Sequence, residues 1–247
     1  KNKVTLVTGS SRGLGLILAD GLASAGARVV LNGRNPETLE AAAKSLANKG
    51  LAVETALFDV TKAGEIKNSI ARIESEIGPL EILVNNAGIQ HRAPLEEFPE
   101  DEWRKILDIN LTGAFLVAKE AVPYMQGRRR GKIINICSLQ SELGRATIAP
   151  YAASKGGLKM LTRGMCVDWA KYNIQINAIG PGYFVTEMTQ KLKDDPDFDT
   201  WICGRTPAGR WGNPKELLGA LLFFSSRASD FINGQLMFVD GGITAAI

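Results

Sequence analysis

Short apolar, β-branched runs alternate with stretches of helical period along most of this chain. The runs predict strands at 4–8, 28–32, 52–58, 82–85, 132–137, 174–178 and 236–239. Between them, the helical period predicts helices at 14–25, 36–48, 62–77, 100–125, 151–172 and 214–226. The strand runs are almost continuously apolar, which suits strands buried on both faces of a parallel sheet. Strand and helix alternate with no shift in composition. That predicts one α/β domain over residues 1–247, a doubly wound, Rossmann-type sheet with helices on both faces. The pattern breaks at 183–210, where Pro196, Asp197, Pro207 and Gly209 mark a long excursion. Such a segment inside a compact fold often forms a lid or binding element, so a substrate-binding role is expected of it.

Composition narrows the class of protein. The chain has 247 residues, 45% of them hydrophobic, ample for a sizeable core. Its net charge of +3 is mild, and the only basic cluster, Arg128-Arg129-Arg130, lacks interleaved aromatics. No nucleic-acid face is expected. No apolar run approaches the roughly 18 residues of a membrane span, and no membrane association is expected. The first strand begins almost at the first residue, so no signal peptide is expected either. Cys137, Cys166 and Cys203 are isolated and odd in number, which fits a reducing, cytoplasmic compartment. With His91 the sole histidine and no Cys-x-x-Cys pair, no metal site is expected.

A glycine-rich turn follows the first strand and opens the first helix: Thr8-Gly9-Ser10-Ser11-Arg12-Gly13-Leu14-Gly15. Glycines there let backbone approach a pyrophosphate, and the helix start offers free N–H groups with a positive dipole end. The end of the second strand selects the nucleotide. An acid there accepts ribose hydroxyls of NAD; a cation pairs with the 2′-phosphate of NADP. The chain reads Leu31-Asn32-Gly33-Arg34-Asn35, with no acid. Arg34 can fork onto a phosphate and Arg12 can close over it, so NADP(H) is expected over NAD. Asp59-Val60 follows the third strand. Asp59 fits two compatible roles, an adenine contact and a cap for the helix beginning near Lys62.

Tyr151-Ala-Ala-Ser-Lys155 places a phenol and an ammonium one helical turn apart on one face. A free tyrosine, with a pKa of about 10, is a poor acid or base at neutrality. A neighbouring cation favours the phenolate and lowers that value, which makes the pair a proton-transfer device. Ser138, at the end of the fifth apolar run, can hold the substrate oxygen.

Together these motifs resemble those of the short-chain dehydrogenases/reductases, across essentially the whole chain. The resemblance rests on Thr8-Gly9-x-x-x-Gly13-x-Gly15, Asn85-Asn86-Ala87-Gly88, Asn110, Ser138, Tyr151-x-x-x-Lys155 and Pro181-Gly182, in order and in register. It implies a seven-stranded parallel sheet, a nicotinamide cofactor and a homotetramer. It further implies that Tyr151 is the general acid/base, and that Lys155 lowers its pKa while bonding the nicotinamide ribose. Ser138 would orient the substrate oxygen and Asn110 would hold a relay water near Lys155. Asn86, Ala87 and Gly88 would line the cofactor, as would Pro181 and Gly182, with Thr186 at its carboxamide.

Longer strings resemble the members of that family that interconvert D-gluconate and 5-keto-D-gluconate. They are Gly88-Ile-Gln-His-Arg92, residues 134–145, residues 161–166, Pro181-Gly-Tyr-Phe184 and residues 205–212. A sugar-acid substrate fits the chemistry. Arg92 follows the end of the fourth strand, where ligands of α/β sheets sit, and can bind a carboxylate bidentately. Gln140 and Glu142 can bond hydroxyls. Two rivals remain open at this point. One is a reductase of the same family acting on a 3-oxoacyl thioester or a neutral sugar or polyol. The other is a non-catalytic NADP-binding scaffold.

Overall fold

A computed structural model describes residues 2–246. Its strands are β1 Val4–Val7, β2 Arg28–Gly33, β3 Val53–Leu57, β4 Leu80–Asn85, β5 Gly131–Ile136, β6 Ile174–Pro181 and β7 Leu236–Val239. They form one sheet of seven strands in the order β3-β2-β1-β4-β5-β6-β7, every pairing parallel. The winding reverses between β1 and β4. A crevice opens beyond the carboxyl ends of the strands at such a switch point.

The helices are α1 Gly13–Ser24, α2 Pro36–Ala47, α3 Ala63–Arg72, α4 Glu100–Leu107, α5 Gly113–Arg128, α6 Ala149–Trp169, α7 Gln190–Lys193, α8 Pro196–Arg205 and α9 Leu218–Ser225. Successive strand residues point to opposite faces and so feed two cores. Leu6, Val30, Leu83 and Ile133 pack with Ile66 and Ile70 of α3 and Val117 of α5. Val7, Leu31, Val84 and Ile134 pack with Leu18 of α1, Leu39 of α2 and Leu221 of α9. The expected parallel sheet with helices on both faces is the one found.

Three expected elements differ in detail. The helix expected over 100–125 is two helices joined by a π-helical stretch, Asp108–Thr112. The wider turn buries Asn110, and this part of a helix often serves a site. Strand β6 runs to Pro181, beyond the expected end, because β7 pairs with it from Ala178↔Leu236 to Pro181↔Val239. The 183–210 excursion is not irregular, for it carries α7 and α8. Asp195 accepts from the Asp197 and Phe198 N–H groups and Pro196 takes the first helical turn. Residues that read as breakers are a helix start.

A buried polar ladder ties α6 to the sheet. Asn85 Nδ2 donates to Asn135 Oδ1 at 2.9 Å, and Asn135 Nδ2 donates to Thr162 Oγ1 at 2.8 Å. Thr162 in turn donates to the Leu158 carbonyl. All three side chains are buried. The ladder fixes the azimuth of the helix that carries Tyr151 and Lys155 over β5, which leads into Ser138.

Asn135→Ala removes one buried bond on each side, from Asn85 Nδ2 and to Thr162 Oγ1, at about 1–3 kcal/mol in all. A thermal melt of this variant is expected to fall on the order of 10 °C below the parent. An unchanged melting temperature would remove the ladder's structural role.

Candidate active site

A cavity of about 630 Å³ lies at the switch point. Every residue expected to touch a cofactor lines it: the glycine turn from Gly9 through Ser11, Arg12, Gly13 and Leu14 to Gly15, then Arg34, Asp59, Val60, Asn86, Ala87, Gly88, Tyr151, Lys155, Pro181, Gly182 and Thr186. Ser138 lines it as well. Asn110, Arg92 and Gln140 lie outside this lining.

The glycine turn is built by close approach. A Cβ on Gly15 would collide with the Gly9 carbonyl and the Asn86 amide, so helix α1 can start only with glycine there. Gly13, at φ +55°, faces open space. No side chain caps α1, so the N–H groups of its first turn remain free for a ligand. That cradle, open at Gly13 and tipped by uncapped N–H groups, fits a dinucleotide pyrophosphate.

Asn32, which the sequence did not single out, holds this turn in place together with Asn86 and Thr8. Asn32 Oδ1 accepts from the Gly9 N–H at 3.0 Å, while its Nδ2 donates to the Ala56 and Phe58 carbonyls. Asn86 Nδ2 donates to the Thr8 and Gly9 carbonyls at 2.9 and 3.1 Å. Thr8 Oγ1 accepts from the N–H groups of Asn86 and Ala87. The visible signal for Asn32 was an amide in an otherwise apolar strand end.

At the nucleotide-selecting end, Arg34 pairs with Asp59 at 3.3 Å. Burial alone would raise the Asp59 carboxyl, but bonds from Thr61 and the Arg34 cation outweigh it and hold the pKa below the usual range. Asp59 accepts from the Thr61 N–H and hydroxyl, so it caps the turn into α3. Arg12 stands 4.0 Å from Glu187, across from the excursion. Both arginines are exposed, and such pairs are worth only about 0–1 kcal/mol.

Tyr151 and Lys155 are set by two helix ties. Asn110 Nδ2 donates to Ser154 Oγ at 3.1 Å, and Ser154 donates to the Tyr151 carbonyl at 2.7 Å. Ser141 Oγ donates to the Lys155 carbonyl at 2.9 Å. Lys155 is only 4% exposed, and its Nζ donates to the Ile136 carbonyl at 2.7 Å while lying 5.7 Å from the centre of the Tyr151 ring. Asn110 also exchanges two bonds with the backbone of Ile89, so its amide clamps the β4 loop against the start of α6.

The electrostatics differ from the expectation. Burial pushes the Tyr151 phenol up to about 12, Ser138 alone pulling it down, with Cys137 and Tyr183 adding to the rise. Burial likewise lowers Lys155, weakening the cation expected to activate the tyrosine. Desolvation is the largest influence on both groups. Cys137 is pushed up to about 11, mainly by burial, so it is an inert core thiol as expected.

Comparisons with known proteins follow the geometry. Residues 3–197 match the family model for short chain dehydrogenases. The 5-keto-D-gluconate 5-reductase of Escherichia coli (strain K12) is 54% identical over 99% of this chain and 96% of its own length. The gluconate 5-dehydrogenase of Gluconobacter oxydans (strain 621H) is 54% identical over 98% of this chain and 94% of its own. A crystal structure of a gluconate 5-dehydrogenase from Burkholderia cenocepacia J2315, in complex with NADP and tartrate, superposes with a TM-score of 0.97. It is 53% identical and covers 99% of this chain and 96% of that one. No helix among the described residues is long and apolar enough to cross a membrane, and none of their His, Cys, Asp and Glu side chains group as a metal site. A switch-point cavity with a glycine cradle at one end and Ser138, Tyr151 and Lys155 at the other, together with these likenesses, shows that the chain belongs to the short chain dehydrogenase family.

Proposed function

We propose that the protein catalyses reversible, NADP(H)-dependent hydride transfer between D-gluconate and 5-keto-D-gluconate. One observation carries the reading. Ser138, Tyr151 and Lys155 converge on one cavity with the uncapped start of α1. The printed names of the relatives support the substrate, and the NADP in the Burkholderia structure supports the cofactor together with Arg34.

When bound, the nicotinamide dinucleotide supplies or accepts the hydride. The glycine turn would hold its pyrophosphate, Arg34 and Arg12 its 2′-phosphate, and Pro181, Gly182 and Thr186 its nicotinamide end. Tyr151 donates the proton to the carbonyl oxygen in reduction and removes it from the alcohol in oxidation. Ser138 Oγ accepts from the Gln140 N–H at 3.2 Å, which fixes its hydroxyl beside the Tyr151 phenol, where it would hold the substrate oxygen. Gln140 carries a buried amide oxygen with no partner, suited to a polyol hydroxyl. Asn110 is a positioning residue that acts through Ser154. Arg92 binds the carboxylate.

Lowering Tyr151 from about 12 to near neutrality takes several kcal/mol, at about 1.4 per unit. The opposing field that Lys155 alone does not supply would come from the positive charge of the oxidised nicotinamide when it is bound. Thr186, Glu187, Met188 and Thr189 open the 183–210 excursion along the cavity wall, which supports its role as the substrate-binding element of a single domain. Trp103, Phe115, Met160 and Val167 are exposed on α4, α5 and α6, an apolar face that supports assembly with further copies, as a homotetramer. The free cysteines support a cytoplasmic setting.

Three outcomes test this. Tyr151→Phe is expected to cut turnover of 5-keto-D-gluconate by about a hundred- to ten-thousandfold. Undiminished turnover, or equal use of neutral sugars by the parent, ends the assignment. In a tyrosinate absorbance titration, parent minus Tyr151→Phe should show no ionised phenol at pH 10, where an ordinary tyrosine is half ionised. The folded-state value lies above the unfolded one, so the neutral phenol adds stability below about pH 10 that is lost as pH rises toward about 12. Adding NADP⁺ should move the titration to lower pH. Finally, Arg34→Ala should raise KM for NADPH roughly tenfold and leave that for NADH unchanged. An unaltered preference would place the 2′-phosphate elsewhere.

A further inference from the structure

Arg145 closes the 134–145 string but has been given no role so far, yet the fold invests several contacts in it. It lies in the segment between Ser141 and α6. Its guanidinium carbon sits 4.5 Å over the ring of Phe198 on α8, and its Nη1 donates to the Tyr183 hydroxyl at 3.4 Å. Tyr183 and Phe198 are themselves braced. Their rings lie 5.6 Å apart, and Trp211 meets Tyr183 edge-on at 5.6 Å.

The segment carrying Arg145 is tied to the segment carrying Arg92. The Ala93 N–H donates to the Thr147 carbonyl at 3.2 Å. Thr147 makes that bond from φ +68°, a region a β-branched residue rarely enters. Strain of this kind persists only where surrounding structure imposes it, and it gathers at ligand clamps. The bond sets the segment that carries Arg92 beside the one that carries Arg145. The charge of Arg145 acts on Arg92, lowering its pKa after burial, while Tyr183 pulls the other way. Among the described residues, neither arginine has an acidic partner, whereas most other arginines are paired. Tyr183 also lies close enough to Tyr151 to raise its pKa, so the pair stands one tyrosine away from the reacting phenol.

We propose that Arg145, stacked on Phe198 and steadied by Tyr183, joins Arg92 in a two-arginine clamp for the substrate carboxylate and selects sugar acids over neutral sugars. This rests on the reading of the site given above. Two planar forks facing one anion match carboxylate geometry and cancel the repulsion between the arginines. The carboxylate lies at the far end of the sugar acid from the reacting carbon, so the clamp sets which carbonyl reaches Tyr151. Because Phe198 belongs to α8, the excursion would take part in acid recognition through Arg145.

The test uses Arg145→Met, which keeps an unbranched apolar stem and removes the charge, and Phe198→Leu, which removes only the ring. Steady-state kinetics with 5-keto-D-gluconate are combined with thermal-shift titrations by tartrate and by threitol, its neutral counterpart. Melting without ligand checks that each variant folds. Arg145→Met is expected to raise KM for the acid about ten- to a hundredfold and to abolish stabilisation by tartrate. Threitol should stabilise neither protein. Phe198→Leu should move both readouts the same way by a smaller factor. If the parent reduces 5-keto-D-gluconate and Arg145→Met leaves KM and the tartrate shift unchanged, the clamp is wrong and the function stands. If the parent does not reduce that acid, the functional reading fails, and loss or retention of the tartrate shift in Arg145→Met still decides the clamp.

Discussion

The bond from the Asn86 amide to the carbonyls of Thr8 and Gly9 is the constraint on which the site depends. It crosses from β4 to β1 where the winding reverses, the one place where neighbouring strands lead away to opposite sides of the sheet. Thr8 returns the contact through its hydroxyl, and Asn32 anchors the same turn from the β2 side. Three short polar side chains thus close a gap that helices cannot cover. The bonds are buried or half-buried, so each retains its strength, and losing one would strand partners away from water. The crevice is consequently rigid at its floor. Only its outer wall, from Thr186 onward, is built of exposed chain.

Burial has a second consequence at the other end of the cavity. Enclosing Tyr151 and Lys155 raises the phenol and lowers the ammonium, moving both toward their neutral forms. The Ile136 carbonyl is a dipole and satisfies the Lys155 Nζ without supplying a charge. An acid/base pair poised in this way is quiet until another charge arrives. That is useful chemistry, because a permanently ionised tyrosinate beside a glycine-rich opening would bind protons and cations indiscriminately. It also links proton transfer to cofactor occupancy, since the same low-dielectric surroundings that suppress ionisation strengthen the field of a bound cation.

Much of this was legible in the sequence because period and motif report backbone geometry directly. Apolar runs at 4–8 and 132–137 became β1 and β5 within a residue at each end, since a strand buried on both faces tolerates little else. Tyr151 and Lys155 shared a helix face because spacing alone dictates it. What escaped were effects of packing. The π-helical turn at Asn110 depends on two bonds to Ile89, which no local pattern announces. The excursion looked irregular because Pro196 and Asp197 read as breakers, whereas they form a helix start capped by Asp195. The sign of the Tyr151 shift was missed because sequence spacing shows the neighbouring cation but not the loss of water around both groups.

Chemistry and specificity are carried by different parts of the chain, and their mechanical properties differ accordingly. Ser138, Tyr151 and Lys155 sit at the end of β5 and on α6, held by ties through Ser141, Ser154 and the Asn135 ladder. Arg34, Arg12, Arg92 and Arg145 sit on connecting segments, where Arg34 and Arg12 pair with acids and Arg145 meets an aromatic face and a hydroxyl. Proton transfer demands fixed geometry and can be supported by buried networks. Recognition of phosphate and carboxylate needs only charge and a forked shape, which tolerate motion. Exposed pairs such as Arg34 with Asp59 release their cation at little cost, so the free protein keeps its arginines ordered without binding them too tightly to yield. On the proposed reading, substrate preference would change through the loops around Arg92 and Arg145 while Ser138, Tyr151 and Lys155 stay fixed.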